Sequence, residues 1–209
     1  MPMTHTPGRS FFARAAALLA LCAIACVSCE SPVRGPQRIA SSFGDDTAER
    51  QDRALELASR ASREQDPERA VEMYREVVKI YRDLYPAWNN LGAILMAEDR
   101  YLEAAEAFNT ASGLAPRDPR PVYNIGLLYD RSGYLDDAQD FYGRALARDS
   151  NYLPALRGMI RADSILNEED ERTLDLIRRA LRLERDDKWR EWLMLRKIRI
   201  ENLLNDESE

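Results

Sequence analysis

Residues 85–118 read YPAWNNLGAILMAEDRYLEAAEAFNTASGLAPRD. Two runs with helical spacing lie in this stretch. Trp88, Leu91, Gly92 and Leu95 share one face of the first; Ala104, Phe108 and Ala111 share one face of the second, and Pro116 marks the exit. Thirty-four residues further on, Val122, Ile125, Gly126, Tyr129, Ala138, Tyr142 and Ala145 fall in the same columns. Thirty-four residues earlier, Ala54, Leu57, Ala58, Ala61, Ala70, Tyr74 and Val77 do so again. A helical period nested inside a 34-residue period is the mark of a stacked array of helix pairs.

The spacing W-x2-L-G-x2-Y…A-x3-F…P resembles the tetratricopeptide repeat family over about residues 51–185. The resemblance implies an all-α, right-handed solenoid of antiparallel helix pairs. Its units are expected at about 51–84, 85–118, 119–152 and 153–185. Each column has a physical reason. Gly92, Gly126, Ala104 and Ala138 let helices approach closely, whereas Trp88, Phe108, Tyr129 and Tyr142 fill the space between neighbouring pairs. Asp66 before Pro67 predicts an N-cap with proline in the first turn. Gly133 is placed to end a helix in a left-handed conformation. Pro86, Pro119, Pro121 and Pro154 stand at or near the starts of first helices, where a missing N–H costs little.

The fourth unit departs from the pattern. Ile160 stands in the small column and Asp163 in the aromatic one, and its second helix fits only with one inserted residue, which aligns Thr173, Ile177 and Ala180. Residues 186–209 are expected to hold a capping helix and a polar tail. The helix carries Trp189, Trp192, Leu193, Leu195, Ile200 and Leu203 beside Lys188, Arg190, Arg196 and Lys197. A basic aromatic helix also suits an acidic membrane surface, but Glu191 and Glu201 interrupt its basic face.

Residues 1–29 read as an export signal. Arg9 and Arg14 precede an apolar run from Ala15 to about Val27, and no acidic residue comes before Glu30. That run is shorter than the roughly 18 residues of a membrane span. All three cysteines, Cys22, Cys26 and Cys29, lie here. The stretches ending at Cys26 and Cys29 resemble a bacterial lipobox, with Ala23 or Cys26 where a large aliphatic residue is usual. Cys26 and Cys29 are therefore the lipidation candidates, and the expected location is the cell envelope, lipid-anchored to a membrane facing the periplasm. Residues 30–48 mix Pro, Gly, Ser and charge without an apolar period and are expected to form a disordered tether.

Composition narrows the function. The net charge is −6 with both signs interspersed, and removing the leader's two arginines gives 28 − 36 = −8. Such a balance argues against a nucleic-acid-binding surface. The single histidine, His5, lies in the leader, so residues 30–209 offer neither histidine nor cysteine for a metal or a general base. No nucleophile elbow, phosphate loop or metal-spaced cluster is present, and no cofactor is expected. The expected function is a non-catalytic scaffold that holds a protein or peptide partner. A membrane-tethered co-chaperone with an uncleaved anchor and an envelope hydrolase using paired carboxylates are the alternatives.

The family resemblance implies a concave groove lined by first helices. Its columns carry over to Leu55 and Ser59; to Asn89, Ala93 and Met96; to Tyr123, Leu127 and Asp130; and to Arg157 and Arg161. Asn90 and Asn124 occupy a column where an asparagine either bonds a ligand backbone or bridges neighbouring helices. The carboxylate clamp of the chaperone-binding members is incomplete, because its columns hold Leu55, Ser59 and Asn89. Arg131, Arg157 and Arg161 gather toward one end. Arg157 and Arg161 are four apart on one helical face. They either engage an acidic partner segment or pair internally with Asp130 or Asp163. The sequence leaves the oligomeric state open.

Overall fold

A computed structural model describes residues 39–206, with side-chain environments from residue 46 onward. The export signal, Cys26, Cys29 and the first part of the tether lie outside the described residues. Among those described there are nine helices and no strand: α1 (Ile39–Ala61), α2 (Pro67–Ile80), α3 (Tyr85–Ala97), α4 (Tyr101–Leu114), α5 (Pro119–Arg131), α6 (Leu135–Arg148), α7 (Leu153–Leu166), α8 (Glu171–Leu183) and α9 (Asp187–Asp206). The described residues from Ala40 onward belong to one compact unit.

Local chemistry sets the helix ends. Asp66 accepts from the Glu68 N–H at 3.1 Å, and Asp118 accepts from the Arg120 N–H at 2.9 Å, each one residue before a helix-starting proline. Gly133 has φ +82°, as its place between α5 and α6 requires. The disordered tether expected over 30–48 needs correction, because α1 begins at Ile39. Ala54 and Ala61 are buried and fix the helix, and once a helix is nucleated each further N-terminal turn forms at little cost, even with Asp46–Arg53 exposed.

Packing follows the repeat. From α2 to α9 consecutive helices pack against each other, and the inner helices α3, α5 and α7 also meet directly, α3 with α5 and α5 with α7. The core runs as one cluster from α1 to α5 and another from α6 to α9, with Val122, Ala145 and Ala155 between them. A solenoid requires such a distributed core, since each pair buries its stripe only against its neighbours. A Cβ at Gly92 would sit 2.7 Å from the Phe108 ring, so the small column exists to admit the aromatic one. Tyr142 is enclosed on two sides, with Gly126 against one edge and Gly158 against another.

The inserted residue of the fourth unit is accommodated in its turn. Residues 167–170 join α7 to α8, whereas three residues suffice at 98–100 and 132–134. Asn167 takes φ +58° there. Thr173, Ile177 and Ala180 are buried as their columns predict. Helix α9 packs on α8 through Leu193 and Ile200, which are fully buried, and so caps the stack.

Candidate functional groove

The candidate surface lies on α3, α5 and α7, of which α5 meets both of the others. Asn124 donates to Asn89 Oδ1 at 3.0 Å, tying α5 to α3, while Asn90 donates to the Tyr74 hydroxyl at 3.1 Å. Both asparagines of that column therefore bridge helices. Ala93, Tyr123 and Leu127 are half-buried and face the same surface columns. Met96 requires correction: it is only 7% exposed and belongs to the core, because its side chain fills space between α3 and its neighbours. Its carbonyl instead receives a long hydrogen bond from Arg131, at 3.4 Å.

Tyr123 sits in an aromatic row. Its ring centroid lies 5.6 Å from Tyr142 and 5.6 Å from Tyr152, tilted in the first contact and edge-on in the second. Burial pushes the Tyr123 phenol up and the Tyr152 phenol up to about 12. Tyr142 donates to Asp130 Oδ2 at 2.7 Å, and burial first, then this hydrogen bond, raises its phenol further. These rings are neutral at physiological pH, so the row is an amphipathic wall and not a source of charge.

The basic end of the groove is mostly paired within the fold. Arg157 meets Glu184 through two hydrogen bonds of 2.7 and 2.6 Å, and that carboxylate side chain is 1% exposed. Glu184 also accepts the backbone N–H groups of Arg185 and Asp186 at 2.9 Å each. The Arg157 guanidinium, ahead of those backbone donors, holds the Glu184 carboxyl below the usual carboxylate range. Arg161 pairs with Asp130, on the same oxygen that Tyr142 reaches. Asp130 was one of the two internal partners the spacing offered; Asp163 instead accepts from Gln139 and Thr173. Arg157 and Arg161 are thus offset by buried carboxylates, and the expected basic cluster is largely neutral. Arg131 remains exposed and forms no ion pair among the described residues.

Sequence reasoning missed two features. Gly158 lies against Tyr142, outside the repeat column that Ile160 fills, and the fixed register hid it. Glu184 stands in the α8–α9 turn, 27 residues from Arg157, where no periodicity points. No three His, Cys, Asp or Glu side chains come together as a metal site among the described residues. Nor is any helix there long and apolar enough to cross a membrane.

Comparison with known proteins agrees with this geometry. A family model described as tetratricopeptide repeat matches residues 85–118 and 119–152. Among curated proteins, the general transcriptional corepressor ssn6 of Schizosaccharomyces pombe is 31% identical over 93 residues, 44% of this chain and 8% of that protein. The BBSome complex member BBS4 of Mus musculus is 29% identical over 103 residues, 48% of this chain and 19% of that protein. The chain therefore spans less than a fifth of the length of these curated relatives. Among solved structures, PilF of Pseudomonas aeruginosa superposes with a TM-score of 0.60 at 19% identity, covering 78% of this chain and 70% of that one. A crystal structure of MamA gives a TM-score of 0.56 at 20% identity, covering 63% and 77%. At these identities the structural likeness bears on the fold.

Proposed function

We propose, from the premise that this chain is a member of the tetratricopeptide repeat family, that it is a non-catalytic scaffold of the bacterial cell envelope. In this reading it holds an extended segment or a helix of a partner protein in the groove of α3, α5 and α7. One observation carries it. The adjoining inner helices α3 and α5 present half-buried Ala93, Tyr123 and Leu127, with hydrogen-bonded Asn89 and Asn124 beside them and exposed Arg131 at the end of α5. Such a wall offers apolar area without an unpaired buried polar group, which suits reversible occupation by a peptide. The curated relative named as a BBSome complex member is by its name a subunit of an assembly, which supports a scaffold role.

The envelope part of the reading rests on the leader alone: a basic start, a short apolar run, and Cys26 and Cys29 at its end. Lipidation at one of these cysteines would place the repeats at a membrane surface without a spanning helix. The internal pairing of Arg157 and Arg161 moves the partner contacts toward Tyr123, Leu127 and Arg131.

The test uses the full chain on a resin with detergent-solubilised envelope extract passed over it. Its control carries Asn89→Ala, Tyr123→Ala and Leu127→Ala together, with helicity checked by circular dichroism. The reading predicts a short set of envelope proteins retained by the parent and lost with the folded triple variant. Retention indifferent to the three substitutions would refute the groove. Metabolic labelling with palmitate, abolished by Cys26→Ser or Cys29→Ser, tests the anchor; absence of label in the parent refutes it.

A further inference from the structure

Helix α9 forms a second feature besides its cap. Its first turns face α7 across a cleft of about 470 Å³, within the roughly 300–1,000 Å³ of ligand-sized pockets. Trp189 and Trp192 from α9 and Ile165 from α7 form apolar walls, and Arg161, Lys188 and Arg196 stand around them. The two indoles meet edge to face at 5.4 Å and 79°. The Arg157 guanidinium, outside the lining, covers the Trp189 ring at 4.8 Å, and that of Arg196, within the lining, covers Trp192 at 5.3 Å, so each ring is braced by a cation.

The charges are asymmetric. Three cations line the cleft and no carboxylate does. Arg161 and Arg196 are compensated by Asp130 and Glu169, which lie outside the lining, with side chains 6% and 5% exposed. Lys188 is exposed and forms no ion pair among the described residues. A cleft of this kind has apolar walls and one uncompensated cation, Lys188, at its rim. It complements a large apolar side chain with a carboxylate beside it.

We propose that the α7–α9 cleft is a docking pocket for a short acidic segment of the partner protein. A large apolar side chain seats against Trp189, Trp192 and Ile165, and an adjacent Asp or Glu meets Lys188. The inference deepens the groove reading and rests on it, because Arg161 belongs to an inner-face column and the cleft continues that surface. Concavity favours a peptide over a lipid surface, which a flat basic face would suit better. The cation at the rim acts chiefly on encounter and salt dependence; the indoles supply the area that is desolvated.

The test is selection of a phage-displayed random dodecapeptide library on the full chain and, in parallel, on Trp192→Ala, Lys188→Glu and Tyr123→Ala. The inference predicts enriched sequences with Asp or Glu within two residues of Trp, Phe, Leu or Met. Affinity for them should fall about tenfold or more in Trp192→Ala, as for truncation of an aromatic anchor. In a Trp88→Phe protein, an enriched synthetic peptide should shift the emission of the remaining indoles, and Lys188→Glu should weaken it most at low salt. Acidic peptides bound equally by Trp192→Ala and Lys188→Glu but lost in Tyr123→Ala would overturn this pocket and leave the groove standing. No enrichment on any protein would overturn both. Binding of phosphatidylglycerol vesicles through Lys188 and Trp192, with no peptide selected there, would also overturn it.

Discussion

Replacing Gly158 by alanine should destabilise the protein, against its intrinsic effect on a helix. A Cβ at this position would lie 2.7 Å from the Tyr142 Cζ atom and 2.8 Å from Cε2, where carbon atoms prefer about 3.5–4.0 Å. The ring has no easy retreat. It is fully buried, its Cδ1 and Cε1 atoms would be 2.9 Å from a Cβ at Gly126, and its hydroxyl is fixed on Asp130 at 2.7 Å. Overpacking of this kind costs typically about 1–3 kcal/mol, while glycine-to-alanine in a helix interior returns about 1 kcal/mol. With the ring held at Gly126 and through its hydroxyl the upper part of that range applies, so the net loss should be roughly 1–2 kcal/mol. Thermal unfolding followed by circular dichroism should show a Tm several degrees lower, at about 2–4 °C per kcal/mol for a chain of this size. The decisive comparison is a double-mutant cycle with Tyr142→Ala. In that background the clash is gone and Gly158→Ala should stabilise by up to about 1 kcal/mol. A Gly158→Ala protein as stable as the parent, or an equal loss in both backgrounds, would refute the reasoning.

Other outcomes follow from the same contacts. Glu184→Gln should cost about 2–3 kcal/mol at pH 7 by urea unfolding, since it leaves half-exposed Arg157 without its buried carboxylate. Because Arg157 depresses the folded-state value of Glu184, its contribution is present above the ordinary carboxylate value and is lost as pH falls through the depressed one, so the variant should show a flatter acid limb. Asp163 has the opposite sign: burial raises its carboxyl, so the folded state binds its proton more readily. Parent stability relative to Asp163→Asn should therefore rise as pH is lowered from 7 toward the unfolded value; a constant difference across that range would contradict this. Asp66→Ala removes the α2 cap and should lower stability by about 1 kcal/mol in the same denaturation assay.

What the sequence made legible was whatever repeats. Gly92 and Phe108 sit in fixed columns, so their contact could be anticipated from spacing, as could Gly126 with Tyr142 and the left-handed turn at Gly133. The Asp66–Pro67 cap is local and was equally readable. Features that depend on side-chain reach across helices were not. The Arg157–Glu184 pair joins α7 to a turn beyond α8, and only the stack's geometry brings them together. Arg161 with Asp130 was one of two internal pairings that helical spacing alone could not separate. Met96 shares a column with groove residues, yet its turn of α3 points into the core. Trp189 and Trp192 were recognisable as one apolar helix face, but that the face closes a cleft with α7 depends on how α9 docks.

The most direct test of the groove is site-specific photo-crosslinking in living cells, with a benzophenone amino acid placed at one residue of the full chain at a time. Inner positions Tyr123 and Leu127 are compared with the exposed outer-helix positions Glu106 and Arg144. The account predicts a discrete higher-mass adduct from Tyr123 and Leu127 and none from Glu106 or Arg144. Adducts formed only from the outer positions would contradict it.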